Sequence, residues 1–377
     1  MRVSALRYPL FALVLIMMSA GGWAALQRAG WVLPTIRPSL IGIHGALMIG
    51  GVFGALIALE RAVAISSLLR QPRHWSFLAP LLAGIGGILL ILDGASIAAR
   101  ASITAASLVL IWVYGYTATK HHYWSLHTAI MCVGAGLWAV GNVVWLTGSP
   151  VYSVVHVWMA FIVLTIVGER LELSRVTRLT KRTEQLLMGA VTVYTTGTVL
   201  AIFALAEGVR VAGIGAILTA LWLMRYDLAS KRLKHAGLTR YIALCLFSGY
   251  IWLGISGVFS LIFGAVYAGF QYDAVIHAVV GGFIFSMVLG HAPMIFPALT
   301  GRQIAYSSAF YLPLALLHAS ILMREISNVI ASFQGRMWAG MINAVAILLF
   351  MGMMIYGMRL YARQQSALVQ AESGVTG

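Results

Sequence analysis

Residues 273–302 read DAVIHAVVGGFIFSMVLGHAPMIFPALTGR. The stretch is apolar over more than the roughly 20 residues that cross a bilayer as a helix. It carries a histidine near each end, His277 and His291. They stand fourteen residues apart, roughly 21 Å along a helix that rises about 1.5 Å per residue. Histidine inside a membrane span is uncommon and is a functional candidate by default. Two other stretches match this one. His44 opens HGALMIGGVFGALIALERA and His156 opens HVWMAFIVLTIVGERLELSR. Laying His277 on His156 puts Gly290-His291 over Glu169-Arg170, and the leading histidines follow one another at 112 and 121 residues. The pattern predicts one unit used three times, over 1–120, 121–235 and 236–365, in a single membrane domain with a frayed tail at 366–377.

Composition agrees. The 377 residues are 61% hydrophobic and 9% charged, with a mean hydropathy of +0.91. A soluble domain carries about 25% charge. The lipid bilayer is the expected partner. The net charge of +15 does not point to nucleic acid, because Lys and Arg in a polytopic chain mark cytoplasmic loops. Cys132 and Cys245 each sit in an apolar run and read as buried thiols rather than a disulfide framework. No CxxCH, Walker loop, HExxH or nucleophile elbow occurs, which leaves covalent c-type haem and soluble hydrolase or nucleotide chemistry unsupported.

Long apolar runs fall near 8–26, 38–59, 76–93, 100–118, 124–146, 151–168, 185–206, 211–224, 239–265, 273–297, 304–323 and 338–358. The eighth is the shortest. The expected fold is all-α and polytopic, about twelve transmembrane helices in three pseudo-symmetric four-helix arcs. Placing the N-terminus in the cytoplasm puts 19 of the 25 Lys and Arg on the inside and 6 on the outside, as the positive-inside rule requires. The chain is therefore expected in the cell's inner (plasma) membrane with both termini cytoplasmic. Arg2 and Arg7 before an apolar run also look like a signal peptide, but the loop parity favours a retained first span.

In this orientation His44, His156 and His277 lie four to six residues into spans two, six and ten, roughly 6–9 Å below the outer edge. His318, near the end of span eleven, reaches a similar depth, and His291 lies nearer the inner face. Neutral imidazole ligates haem iron and copper. Gly45, Gly50, Gly51 and Gly54 follow His44, and Gly281 and Gly282 follow His277. Glycine permits close helix approach or leaves room for a flat cofactor. Met48 shares a helix face with His44 and offers a thioether. Asp273, one turn before His277, is placed to accept the second imidazole proton or to sit solvated at the interface. Glu60-Arg61 and Glu169-Arg170 fall at inner span ends. Adjacent residues diverge on a helix, so these read as interfacial anchors rather than internal pairs. Lys120-His121-His122 reads as a cytoplasmic interface cluster. Tyr194, Thr195 and Thr196 form a polar group in mid-span.

Twelve spans with histidines in two, six and ten resemble subunit I of the haem-copper oxidases. In that family a span-two and a span-ten histidine hold a low-spin haem. This chain has no histidine pair in span seven, no close His-x-His in span ten and no His-Pro-Glu-Val-Tyr-like motif in span six, which speaks against ordinary oxygen reduction. HAVVGGFIFSMVLGH followed by TGR, with LIGIHGALMIGGVFGALIALERA, is more similar to the NnrS family of oxidase-like membrane haem proteins linked to nitric oxide stress. That resemblance implies b-type haem, with copper as a second metal, and a role with a small gaseous substrate in nitric oxide metabolism or tolerance, or in membrane electron transfer. His44 and His277 are then the axial pair, with His156, His318 and His291 left for a further metal and Met48 and Asp273 beside the ligands. The alternative is a proton-coupled transporter whose histidines line the path.

Overall fold

The computed structural model describes residues 5–120, 124–174 and 179–374. Arg2, His121, His122, Arg175 and Arg178 lie outside the described residues. Among those described, twelve helices are long and apolar enough to cross a membrane. They are α1 Arg7–Ala29, α2 Ser39–Leu69, α3 Trp75–Asp93, α4 Ile97–Lys120, α5 Leu126–Leu146, α6 Val151–Leu173, α7 Lys181–Phe203, α8 Leu205–Arg232, α9 Gly237–Phe263, α10 Gly269–Thr300, α11 Ser308–Val329 and α12 Phe333–Ser366. No strand occurs among the described residues. The protein is thus an all-helical, multi-pass membrane protein. The terminal helix continues beyond its apolar part to Gly374, so the stretch expected to fray is helical as far as the described residues go.

Local chemistry explains the helix starts. Ser125 and Thr180 cap α5 and α7, each accepting the backbone N–H three residues on, which satisfies one of the free donors of a helix N-terminus. α6 starts directly after Pro150, where the fixed φ of proline suits the entry. The eighth apolar run becomes a full span that breaks at Asp227, whose backbone is extended and whose carboxylate caps the last turn through Ala229 N–H at 2.9 Å.

Each helix packs against its neighbours along the chain, and three of them, α2, α6 and α10, also touch one another as a central trio. These are the three most buried spans, at 83% for α6, 72% for α2 and 67% for α10 against 22% for α12. A helix that is apolar all round belongs inside, and α6, VVHVWMAFIVLTIVG, is one. Its contacts with α5 are aromatic: Trp138 stacks on Phe161 at 4.7 Å, and Trp145 meets Trp158 edge-on at 5.2 Å. The first and last helices, α1 and α12, also meet. Gly30 ends α1 at φ +113, a conformation open to glycine at little cost. Trp31, which follows it, donates to Met337 O at 3.0 Å and packs edge-on against Trp338.

Two central helices share a departure from α geometry. α2 widens to a π-helix over Leu47–Phe53, and α10 does so over Ala278–Ile284. Each π stretch begins within one turn after the leading histidine of its span. π segments are rare and concentrate at functional sites. α6 has none.

Candidate functional site

His44 and His277 come within electrostatic reach of each other at one end of the bundle. Each ring is held through Nδ1. That of His44 lies 2.9 Å from Gly21 O on α1. That of His277 lies 3.1 Å from Asp273 O and 3.2 Å from Asp273 Oδ1. Both acceptors are oxygens, so Nδ1 carries the proton and donates. The neutral ring then presents the Nε2 lone pair, the form in which histidine binds a metal. Neither Nε2 has a hydrogen-bond partner among the described residues. Asp273 is not a solvated carboxylate, as one sequence reading had it. Arg324 clasps it with two bonds of 2.7 Å, and Asn328 Nδ2 donates to it at 3.0 Å. The α11 residues Arg324 and Asn328 thereby fix the group that fixes His277. Met48, next to His44 on α2, packs against Gly21, the residue that accepts the imidazole proton.

His156 does not share the level of His44. A methyl on Gly45 would lie 3.8 Å from Val151, and one on Gly54 would strike Trp138, which stacks on Phe161. Lower down, Arg61 meets Glu169. α2 and α6 thus run in register at an offset of 106–108 residues. His44 stands level with about residue 150, and His156 is five to six residues deeper, roughly 8–9 Å at about 1.5 Å per residue. The expectation of three histidines at one depth fails for this one, because equal counting from the span start ignores how far the helices are shifted along one another. His156 is buried and has no hydrogen-bond partner among the described residues. His318 has both nitrogens engaged: Nδ1 accepts from Trp252 Nε1 at 3.0 Å, which leaves Nε2–H to donate to Ser248 Oγ at 2.8 Å. Among the described residues no three His, Cys, Asp or Glu side chains converge as a metal-holding group.

The glycines after the histidines have a packing role instead of making room for a ring. A Cβ on Gly50 would press on Ile103, on Gly281 would meet Ile321 at 2.5 Å, and on Gly282 would meet Trp252 at 2.5 Å. They let α4, α11 and α9 approach the trio closely.

At the other end of the bundle a second polar assembly is buried. Arg61 on α2 pairs with Glu169 on α6. Arg170, the next residue, turns to Asp227 and bonds it twice at 3.2 Å. Asp227 also accepts from Tyr250 at 2.9 Å and Ser174 at 3.2 Å and is fully buried. Nη1 of Arg170 lies 3.4 Å from His291 Nε2, while His291 Nδ1 donates to Met287 O at 2.8 Å. Arg61, Glu169 and Arg170 are therefore engaged inside the bundle, a correction to the interfacial reading. Because neighbours on a helix diverge, Glu169 and Arg170 reach different helices, α2 and α8. The residues the sequence alignment laid over one another, Arg170 and His291, touch in space. Asp227 was missed. The chain has only ten acidic residues, so any carboxylate at a span end was a candidate, and that rarity was the available signal. Beside this assembly a cavity of about 540 Å³ opens between α1, α2, α6, α10 and α12, with Glu60, Glu169 and His291 among its lining residues.

Fold and site define a multi-pass helical membrane protein with a paired histidine site in its central trio. The chain belongs to a family described as a domain of unknown function, DUF8744, whose model matches residues 7–359. No curated protein and no solved structure matches it.

Proposed function

We propose that this protein is a haem-binding integral membrane protein, NnrS-like in type, that acts in nitric oxide metabolism or tolerance or in membrane electron transfer. The observation that carries the reading is the His44–His277 pair, two imidazoles on facing central helices, each oriented through Nδ1 and each with Nε2 free. Two neutral imidazole nitrogens are donors of the kind that would hold a b-type haem. His44 and His277 would hold it. Asp273, itself held by Arg324, fixes the His277 ring through Nδ1. The haem would supply one-electron chemistry at a site set among apolar helices. Copper is a weaker part of the proposal, since His318 is engaged elsewhere and His156 lies deeper. Purified protein with a Soret band and about one iron per chain is the expected result, and a colourless, iron-free preparation made with haem supplied during expression would sink the reading.

A second reading, a proton-coupled transporter, draws on a different observation, the carboxylate-lined cavity beside His291. A colourless protein that moves protons in sealed vesicles would favour it. For orientation we propose cytoplasmic termini, from the distribution of Lys and Arg. A reporter inserted at Lys234 then reads as cytoplasmic, and a periplasmic signal there reverses the assignment.

A further inference from the structure

The cavity between α1, α2, α6, α10 and α12 measures about 540 Å³, within the roughly 300–1,000 Å³ that accommodates drug-sized ligands. Five methionines, Met18, Met287, Met351, Met354 and Met358, line it. Phe53 and Phe285, edge to face at 5.7 Å, form part of its wall. Thioethers adapt to varied shapes, and aromatic faces attract cations. Two carboxylates interrupt this lining, Glu60 and Glu169. Glu169 is committed to Arg61. Glu60 has no hydrogen bond or ion pair with any described residue, although Arg61, Glu169 and Glu172 lie within its electrostatic reach. The remaining titratable and charged groups on the cavity wall are His291, Tyr8 and Arg302. His291 faces Arg170, the Tyr8 hydroxyl is held by Arg7 at 2.8 Å, and Arg302 is exposed at the rim.

A carboxylate without a partner in an apolar chamber is costly as the anion and is relieved by a proton or by a cation. We propose that this cavity binds a lipophilic organic cation, with Glu60 as its counter-ion and the methionine and aromatic walls seating its apolar body. Charge complementarity selects the sign, because Glu60 is the one lining carboxylate without a partner among the described residues. A proton and the cation compete for the same carboxylate, so binding weakens as pH falls. The inference rests on neither functional reading above, since occupancy needs no haem and no gradient.

Equilibrium dialysis of the purified full chain in detergent against tetraphenylphosphonium tests it, with a separate dialysis against tetraphenylborate, an ion of the same shape and opposite charge. The expected result is saturable binding of about one phosphonium per chain, weakened at least tenfold in Glu60→Gln, and tetraphenylborate binding that is weaker and does not fall in Glu60→Gln. Glu60→Asp, which keeps the charge, should retain most of the phosphonium binding and guards against a folding defect in the glutamine variant. Equal phosphonium binding by wild type and Glu60→Gln, or tetraphenylborate binding as tight as phosphonium binding, overturns the proposal.

Discussion

The two ends of the central trio use the same residue types to opposite effect. At the Asp273 end, two histidines are oriented by acceptors on Nδ1 and keep Nε2 free. At the Arg170 end, His291 has the same acceptor geometry on Nδ1, but an arginine stands against its Nε2. A guanidinium against Nε2 takes up the lone pair that a metal would need. One end leaves two imidazole nitrogens without a hydrogen-bond partner among the described residues, and the other satisfies buried charge. The contrast teaches that the depth or burial of a histidine says little about its role. What the second nitrogen faces decides it.

The sharpest way to break this contrast is spectroscopic. His44→Ala and His277→Ala should each abolish the low-spin haem spectrum while the protein stays in the membrane, and His291→Ala should leave that spectrum in place. Loss of the spectrum in His291→Ala with retention in the other two would invert the assignment of the two ends.

Stability gives the next largest effect, and it falls at the opposite end. Asp227→Ala strands Arg170 as a buried, unpaired charge, and breaking a buried pair in this way costs about 3–5 kcal/mol. Thermal unfolding in detergent should register the loss. The double variant Arg170→Met, Asp227→Leu should recover the part of the loss due to the stranded charge, while Tyr250, Ser174 and the Ala229 N–H still lack their acceptor. A double variant no better than the single one would mean that the pair is not the unit described.

A smaller effect is expected at Asp273. Asp273→Asn weakens hydrogen bonds to a charged partner, each worth about 1.5–3 kcal/mol. It also loosens His277, and substitution of a ligand's hydrogen-bond partner typically lowers metal affinity about 10–100-fold. Haem retention during dilution, measured beside thermal stability, separates the two consequences. Unchanged retention would remove Asp273 from the site and leave it a purely structural role.

The smallest predicted change concerns the glycines. Gly282→Ala places a methyl 2.5 Å from the Trp252 ring, and overpacking of this kind costs about 1–3 kcal/mol. The spectrum should keep its shape, since the glycine spaces α9 from α10 and does not face the histidine pair. A changed Soret band in this variant would restore the reading in which the glycines make room for a ring.

Much of the architecture was legible in one dimension. Hydropathy and length are properties of each segment by itself, so the sequence alone determined a membrane protein with twelve spans, and the histidine-led repeats singled out the three that lie at the centre. Even the least secure run, 211–224, grew into a full span. Only the tertiary structure decided which polar groups meet. Arg61 and Glu169 stand 108 residues apart, Arg170 and Asp227 57, and Arg170 and His291 121. Which face each presents depends on the rotation and axial shift of whole helices. The π stretches in α2 and α10 change that rotation by widening the turn, which periodic counting at 3.6 residues cannot anticipate. The same shift lowered His156 below His44, which the sequence had set beside it.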